Sequence, residues 1–279
     1  MFCNVNVCTR AGREHNEDAV FAGDGLLIVM DGASGLNGIH LTSEPTDARW
    51  LAQTTVALLA EKLADPQLPI NAALTETAGE LRQGLRGFGY TGDAADYPSG
   101  SVMIARQLGS DVELFSLGDC TALVQFSDGR LTCFHDDAVT RLDTAVLERA
   151  QALAGERGYT LAQALPEMRP MLVANRAKRN TPGGYWIFEP SGVGIPHGQR
   201  WVFPQAEVRA LAMMSDGFYD FAQMRGGPSH QQLMDMLAVT PAEKLVDDLF
   251  AALEADSLRE LLPRFKPRDD AAVVYAQLK

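Results

Sequence analysis

Four aspartates stand at the ends of strand-like runs that lie far apart in the chain. They are Asp18 in Arg-Glu-His-Asn-Glu-Asp (13–18), Asp31 in Leu-Leu-Ile-Val-Met-Asp-Gly (26–32), Asp216 in Ala-Met-Met-Ser-Asp-Gly (212–217) and Asp269 in Pro-Arg-Asp-Asp-Ala-Ala-Val-Val (267–274). A carboxylate at the end of a buried strand is costly unless a cation compensates it. Several that converge on one place call for a metal. Hard carboxylates with no Cys or His among them suit Mg²⁺ or Mn²⁺ rather than zinc.

The elements that must position these residues are partly legible. Residues 2–8 and 19–22 read as short strands, and Leu26–Met30 is an apolar strand reached through the Asp24-Gly25 turn. Residues 43–64 read as a helix with Ser43 as its cap and Pro45 in its first turn. Residues 70–85 follow as a second helix, with Ile70, Leu74, Leu81 and Leu85 on one stripe. After a Gly- and Asp-rich loop at 87–98 comes a meander of strands at 101–107, 112–117, 122–126 and 131–134. Residues 143–154 read as helical. Five proline-marked breaks then interrupt 160–200, with short strands expected at 185–189 and 199–203. A strand at 210–214, helices at 229–237 and 241–255 and a closing strand at 271–278 complete the chain. Strands and helices in blocks, joined by hairpins, define an α+β class with largely antiparallel sheets.

The four Asp-Gly pairs are not equivalent. Asp24-Gly25 and Asp128-Gly129 separate short strands and read as hairpin turns, whereas Asp31-Gly32 and Asp216-Gly217 each end an apolar run.

Bulk properties narrow the function. The chain has 279 residues, 46% of them apolar, which suits a globular protein. No stretch reaches the roughly 18 uncharged apolar residues of a membrane span. The N-terminus lacks the pattern of a signal peptide. The four cysteines, Cys3, Cys8, Cys120 and Cys133, form no Cys-x-x-Cys pair, so a reduced, cytoplasmic setting is expected. A net charge of −12 argues against nucleic-acid and anionic-membrane partners.

Six motifs in order carry a resemblance. They are Gly12-Arg13 with Glu17-Asp18, Asp31-Gly32, Ser99-Gly100-Ser101, Ser116-Leu117-Gly118-Asp119-Cys120, Ser215-Asp216-Gly217-Phe218-Tyr219-Asp220, and Asp269-Asp270-Ala271-Ala272. Together they resemble the metal-dependent protein phosphatase family, the type 2C serine/threonine phosphatases, in a bacterial-type member. The resemblance runs from about Val5 to Leu278. It implies one phosphatase domain over 1–279, with a variable flap-like segment at about 140–205. It also implies a sandwich of two antiparallel sheets flanked by helix pairs on both sides, with a metal cleft at one end.

The resemblance further implies site roles. Asp31 would bridge two Mn²⁺ or Mg²⁺ ions, with the Gly32 carbonyl on one of them. Asp216 and Asp269 would complete one ion, and Glu17 and Asp18 would serve the other. Two ions about 4 Å apart would share a water and depress its pKa, so that it attacks phosphorus directly. Arg13 would hold the phosphate through its guanidinium fork. Asp137 and Asp220, with Asp216, would make a weaker third metal site. Asp119 is expected to organise a turn or hydrogen bonds, and Cys120 to be structural. The implied substrate is a phosphorylated protein, with the enzyme opposing a serine/threonine kinase.

Departures from the pattern bear on activity. Ala33 stands where many eukaryotic members have a histidine, which would leave the leaving-group proton to metal-bound water. His15, His40 and His135 are possible substitutes for that acid. Ser116, Cys120 and Asp270 replace Asn, Ser and Asn. A catalytically weak phosphate-sensing or scaffold protein on the same fold, or a small-molecule phosphatase, are the alternatives. The segment 169–179, with Arg169, Arg176, Lys178 and Arg179, reads either as a basic flap or as a solvated helix face.

Overall fold

The protein was studied as a computed structural model, which describes residues 2–33, 35, 38–92 and 96–279. Residues 93–95 of the Gly- and Asp-rich loop lie outside the described residues. In chain order the elements are β1 (Phe2–Arg10), β2 (Asp18–Gly23), β3 (Leu26–Ala33), α1 (Asp47–Lys62), α2 (Ile70–Gly87), β4 (Ser99–Leu108), β5 (Asp111–Leu117), β6 (Thr121–Phe126) and β7 (Leu131–Phe134). There follow α3 (Ala138–Arg157), α4 (Leu161–Ala164), α5 (Arg169–Arg176), β8 (Gln199–Pro204), β9 (Val208–Met214), α6 (Asp216–Gln223), α7 (His230–Val239), α8 (Ala242–Ala255) and β10 (Ala271–Leu278).

The strands form two five-stranded antiparallel sheets, ordered β1-β10-β9-β6-β7 and β2-β3-β4-β5-β8. Strand alternation explains why the central strands are apolar throughout. On β3, Leu27 and Val29 point between the sheets with Met103, Leu114, Val124, Met213 and Val274. Ile28 and Met30 point the other way, onto Leu51 and Leu59 of α1 and Leu74 and Leu81 of α2. On the far side Ala212, Met214 and Val273 meet Leu233 and Leu237 of α7 and Leu245 and Leu249 of α8. The α+β sandwich with a helix pair on each side is therefore the observed fold.

Three local expectations are corrected. The helix expected at 43–64 begins at Asp47: Thr46 is the cap, its hydroxyl accepting from the Arg49 N–H at 3.1 Å. Asp47 binds the N–H groups of Leu41 and Thr42, so Ser43 and Pro45 belong to the preceding loop. The meander is broken, because β4 and β5 lie in one sheet and β6 and β7 in the other. The crossing falls at Gly118–Cys120, where Ser101 donates to Asp119 Oδ1 and accepts from the Asp119 N–H. Finally, 185–189 is not a strand: only single bridges form, Arg179 to Tyr185 and Phe188 to Gly100, and the Ile187 N–H is taken by Asn180 Oδ1.

Residues 138–176 form a helical annex with its own small core of Val146, Ala150, Leu153, Leu161 and Met168. It packs beside the end of the sandwich where the acidic residues gather. No helix among the described residues is long and apolar enough to cross a membrane.

Candidate functional site

Each acidic group reaches the site because a strand end delivers it. Asp18 opens β2 directly opposite Asp31 on β3, and Asp31 also faces Ser101 on β4. Like charges in cross-strand register disfavour a sheet. Asp216 begins α6 one residue after β9, with Ser215 as the cap between them, so Asp216-Gly217 forms the first turn of a helix. Asp269 and Asp270 precede β10, which pairs with β9 and with β1.

Two glycines let these segments meet. A Cβ on Gly217 would overlap the Asp270 carbonyl oxygen. A Cβ on Gly32 would stand 2.6 Å from the Glu17 carbonyl oxygen, which accepts the Gly32 N–H at 3.1 Å. Asp270 finishes the assembly: Oδ1 accepts the Gly12 N–H at 2.8 Å and Oδ2 the Glu17 N–H at 2.7 Å. The carboxylate that replaces the expected asparagine thus clamps the loop carrying Arg13 and Glu17, with both oxygens committed to backbone.

The resulting cleft holds about 420 Å³, enough for a small side chain and its phosphate. Its walls include Asp31, Gly32, Ala33, Asp119, Asp216, Asp220 and Asp269 from the sandwich end, and Asp143 and Arg176 from the annex. Asp18 lies buried behind Asp31, with its Oδ2 lacking a hydrogen-bond partner. Glu17 is half-buried at the edge. Arg13 is exposed on the clamped loop. Asp137 stands apart from these walls: its carboxylate is 61% exposed and pairs with Arg141 at 2.5 Å.

Electrostatics mark the site as short of positive charge. Burial, then the charges of Asp216, Asp18 and Asp119, push the Asp31 carboxyl well up. Burial, then Asp270, Asp216 and Asp269, raise Asp18 against a hydrogen bond with Ser215. Asp220 is raised by burial and then by Asp216 and Asp269. Asp216 opens into the cleft, where solvent reaches it. The enclosing walls, then Asp269 and Asp119, nevertheless raise it to about 7, against a hydrogen bond with Asp31. Cys120 is fully buried and its thiol is pushed well up by burial and then by Asp31 and Asp119, as a structural cysteine should be.

An oxygen-only donor set, an orphaned buried carboxylate oxygen and mutually repelling acids all fit a hard divalent cation. As the side chains stand, no group of three or more acidic, His or Cys side chains among the described residues is gathered so that it could hold one. Lys266 reaches the same carboxylates. Its Nζ donates to Asp269 Oδ1 at 2.7 Å, and Asp269, Asp216 and Asp31 raise its pKa against the effect of burial.

Sequence reasoning missed two cleft residues. Asp143 lies on α3 in the same stripe as Val139, Val146 and Ala150, and an acid in an apolar stripe is a readable signal. Burial and then Asp119 raise its carboxyl to about 6, against Arg176 and Lys266. Lys266, three residues before Asp269 in an irregular loop, carries no such signal. Two of the three histidines offered as acids are already engaged. His135 lines the cleft with Nδ1 on Thr121 Oγ1 at 2.9 Å and Nε2 on Thr140 Oγ1 at 3.1 Å. His40 binds the Glu44 carbonyl at 2.7 Å, and His15 lies 3.7 Å from Glu14. In the 169–179 segment Arg179 is buried on Glu189 at 2.9 Å, and Lys178 bonds Asn175, so Arg176 is the member that lines the cleft.

The fold and this acidic end define a member of a known class: residues 9–265 match the family model described as Protein phosphatase 2C, and the chain belongs to that family. Solved structures share the fold. The serine/threonine phosphatase PstP/Ppp of Mycobacterium tuberculosis is 18% identical, with all of both chains covered and a TM-score of 0.55. The serine/threonine phosphatase Stp1 of Staphylococcus aureus is 14% identical over 99% of this chain and 95% of its own, with a TM-score of 0.58. The catalytic domain of PstP in complex with two manganese ions is 18% identical over 99% and 97%, with a TM-score of 0.53. No curated protein sequence compared with the chain gives a significant match.

Proposed function

We propose that the protein is a Mn²⁺- or Mg²⁺-dependent phosphatase that hydrolyses phosphoserine and phosphothreonine in proteins. The observation that carries this reading is the convergence of Asp18, Asp31, Asp216 and Asp269 at one end of a type 2C sandwich, with acids crowded enough to need divalent charge. The relative solved with two manganese ions supports the choice of cation.

In this reading Asp31, Asp216 and Asp269, with the Gly32 carbonyl, hold the ions. Glu17 serves one of them from the rim, and Asp18 supports Asp31 from behind. Asp220 supplies a further carboxylate for a weaker third ion; Asp137 would have to leave Arg141 to join it. Bound there, divalent ions would supply the charge that makes water a nucleophile at neutral pH. Of the segment 140–205, the annex helices would act as the flap, with Arg176 on the cleft wall, while β8 belongs to the sheet. Arg13, exposed on a loop fixed by Asp270, is free to grip phosphate oxygens.

Arg13→Ala is expected to raise KM for a phosphothreonine peptide about tenfold while ion affinity stays unchanged. An unchanged KM removes Arg13 from the phosphate site. Substrate class is tested by comparing phosphopeptides with sugar phosphates and nucleotides in the presence of Mn²⁺. Preference for the small esters would move the reading to a small-molecule phosphatase.

Ion binding should also depend on pH in a definite direction. Asp216, raised from 3.8 to about 7, binds a proton more tightly folded than unfolded. Its contribution to ion-free stability therefore falls as pH rises between those values. Mn²⁺ competes with the Asp216 proton. The Mn²⁺-induced rise in Tm should be about twofold or more larger at pH 8 than at pH 5.5. Equal shifts at the two pH values would place the ions elsewhere.

A further inference from the structure

We propose that Lys266 is a tethered cation that occupies the carboxylate cradle when divalent ions are absent, and so sets the ion concentration at which the cleft fills. The inference rests on the reading of the cleft as an ion site.

Three observations carry it. The Lys266 ammonium donates to Asp269 Oδ1 at 2.7 Å and lines the same cleft as Asp216 and Asp31. Asp269 Oδ1 thus meets both Lys266 and the Asp270 N–H, at 3.0 Å. The backbone beneath Lys266 is fixed by a different residue. Buried Arg264 binds Asp256 Oδ2 at 2.7 Å and the carbonyls of Leu253, Asp256, Leu262 and Pro267. The Lys266 side chain itself is 38% exposed.

These features suit exchange. A lysine ammonium is a hydrated point charge on a flexible stem, and a half-exposed ion pair opens at small cost. Rotation of one side chain would free Asp269, while Arg264 keeps the loop and the carboxylate in place. A divalent ion reaching Asp269, Asp216 and Asp31 must displace the ammonium, because two cations cannot share these oxygens without repulsion. In its absence the ammonium relieves part of the repulsion among the acids. Lys266 is thus a positioning residue: it holds the empty cradle together and weakens the ions that replace it.

The test is calorimetric titration of Mn²⁺ into the ion-stripped full chain, without substrate. Wild type, Lys266→Met, Lys266→Gln and Lys266→Arg would be compared, each checked for folding by circular dichroism. Both neutral variants should bind Mn²⁺ about tenfold more tightly than wild type, and Lys266→Arg should stay near it. Ion-free Lys266→Met should melt below ion-free wild type, and Mn²⁺ should remove the difference. Coincident isotherms for wild type and both neutral variants, or weaker binding by the variants, would overturn the competition. Wild type and variants that all fail to take up Mn²⁺ would overturn the ion-site reading itself, and this inference with it.

Discussion

Asp216→Asn is expected to lower phosphopeptide turnover by about three orders of magnitude, while the ion-free protein melts at or above the wild-type temperature. The two halves have one cause. Asp216 faces Asp31 within hydrogen-bond reach and feels Asp269 and Asp119. Without ions its charge is a burden, and a neutral amide of the same size lightens it. With ions it is a ligand, and losing several kcal/mol of charge stabilisation at the reacting phosphate costs about a factor of ten per 1.4 kcal/mol. The same substitution should shrink the Mn²⁺-induced rise in Tm. A variant with near-wild-type turnover would show that Asp216 holds no catalytic ion.

Gly217→Ala is expected to cost roughly 3 kcal/mol or more of stability and to abolish activity in whatever fraction still folds. Any Cβ at this position overlaps the Asp270 carbonyl oxygen and stands 3.1 Å from the Asp269 Cβ. The nearest atom belongs to the backbone, so no rotamer change relieves it. The first turn of α6 and the segment leading into β10 would have to separate, and Asp216 would move away from Asp269. Gly155→Ala is the control. It lies inside α3 with nothing within 4 Å of the new Cβ. It should leave Tm unchanged or slightly raised, by about the helix-propensity gain of 0.5–1 kcal/mol. Thermal melts of the two variants decide the matter: an unchanged Tm for Gly217→Ala would mean the segments are not held in contact.

What was legible in the sequence was what local pattern controls. The apolar run of β3, closed by Asp31, and that of β9, followed by Ser215 and Asp216, announced central strands and the acids beside their ends. The helical stripe of α2 and the Thr-Pro start before α8 fell close to their observed bounds. The choice of sheet was not legible. β5 and β6 follow one another in the chain like the arms of one hairpin, and only long-range pairing, of β5 with β4 and β8 and of β6 with β9, assigns them to different layers. The start of α1 was misplaced because Asp47 spends its carboxylate on the loop before the helix, which no helical period encodes. At the site, Asp270 read only as a replacement for asparagine. Its role as a clamp depends on Gly12 and Glu17, more than 250 residues away in the chain. Lys266 was silent for the same reason: its partners in the cleft come from β3 and α6 as well as from its own loop.

Metal-dependent hydrolysis is decided by turnover of a phosphothreonine peptide with Mn²⁺, with Mg²⁺, and with EDTA. Phosphate release should appear with added metal, disappear with the chelator and return when Mn²⁺ is restored. Release that persists unchanged in EDTA would contradict the metal-dependent mechanism. No release under any condition, with calorimetry still showing Mn²⁺ uptake, would instead identify a phosphate-sensing protein on this fold and make Ala33, Ser116 and Asp270 the first positions to restore.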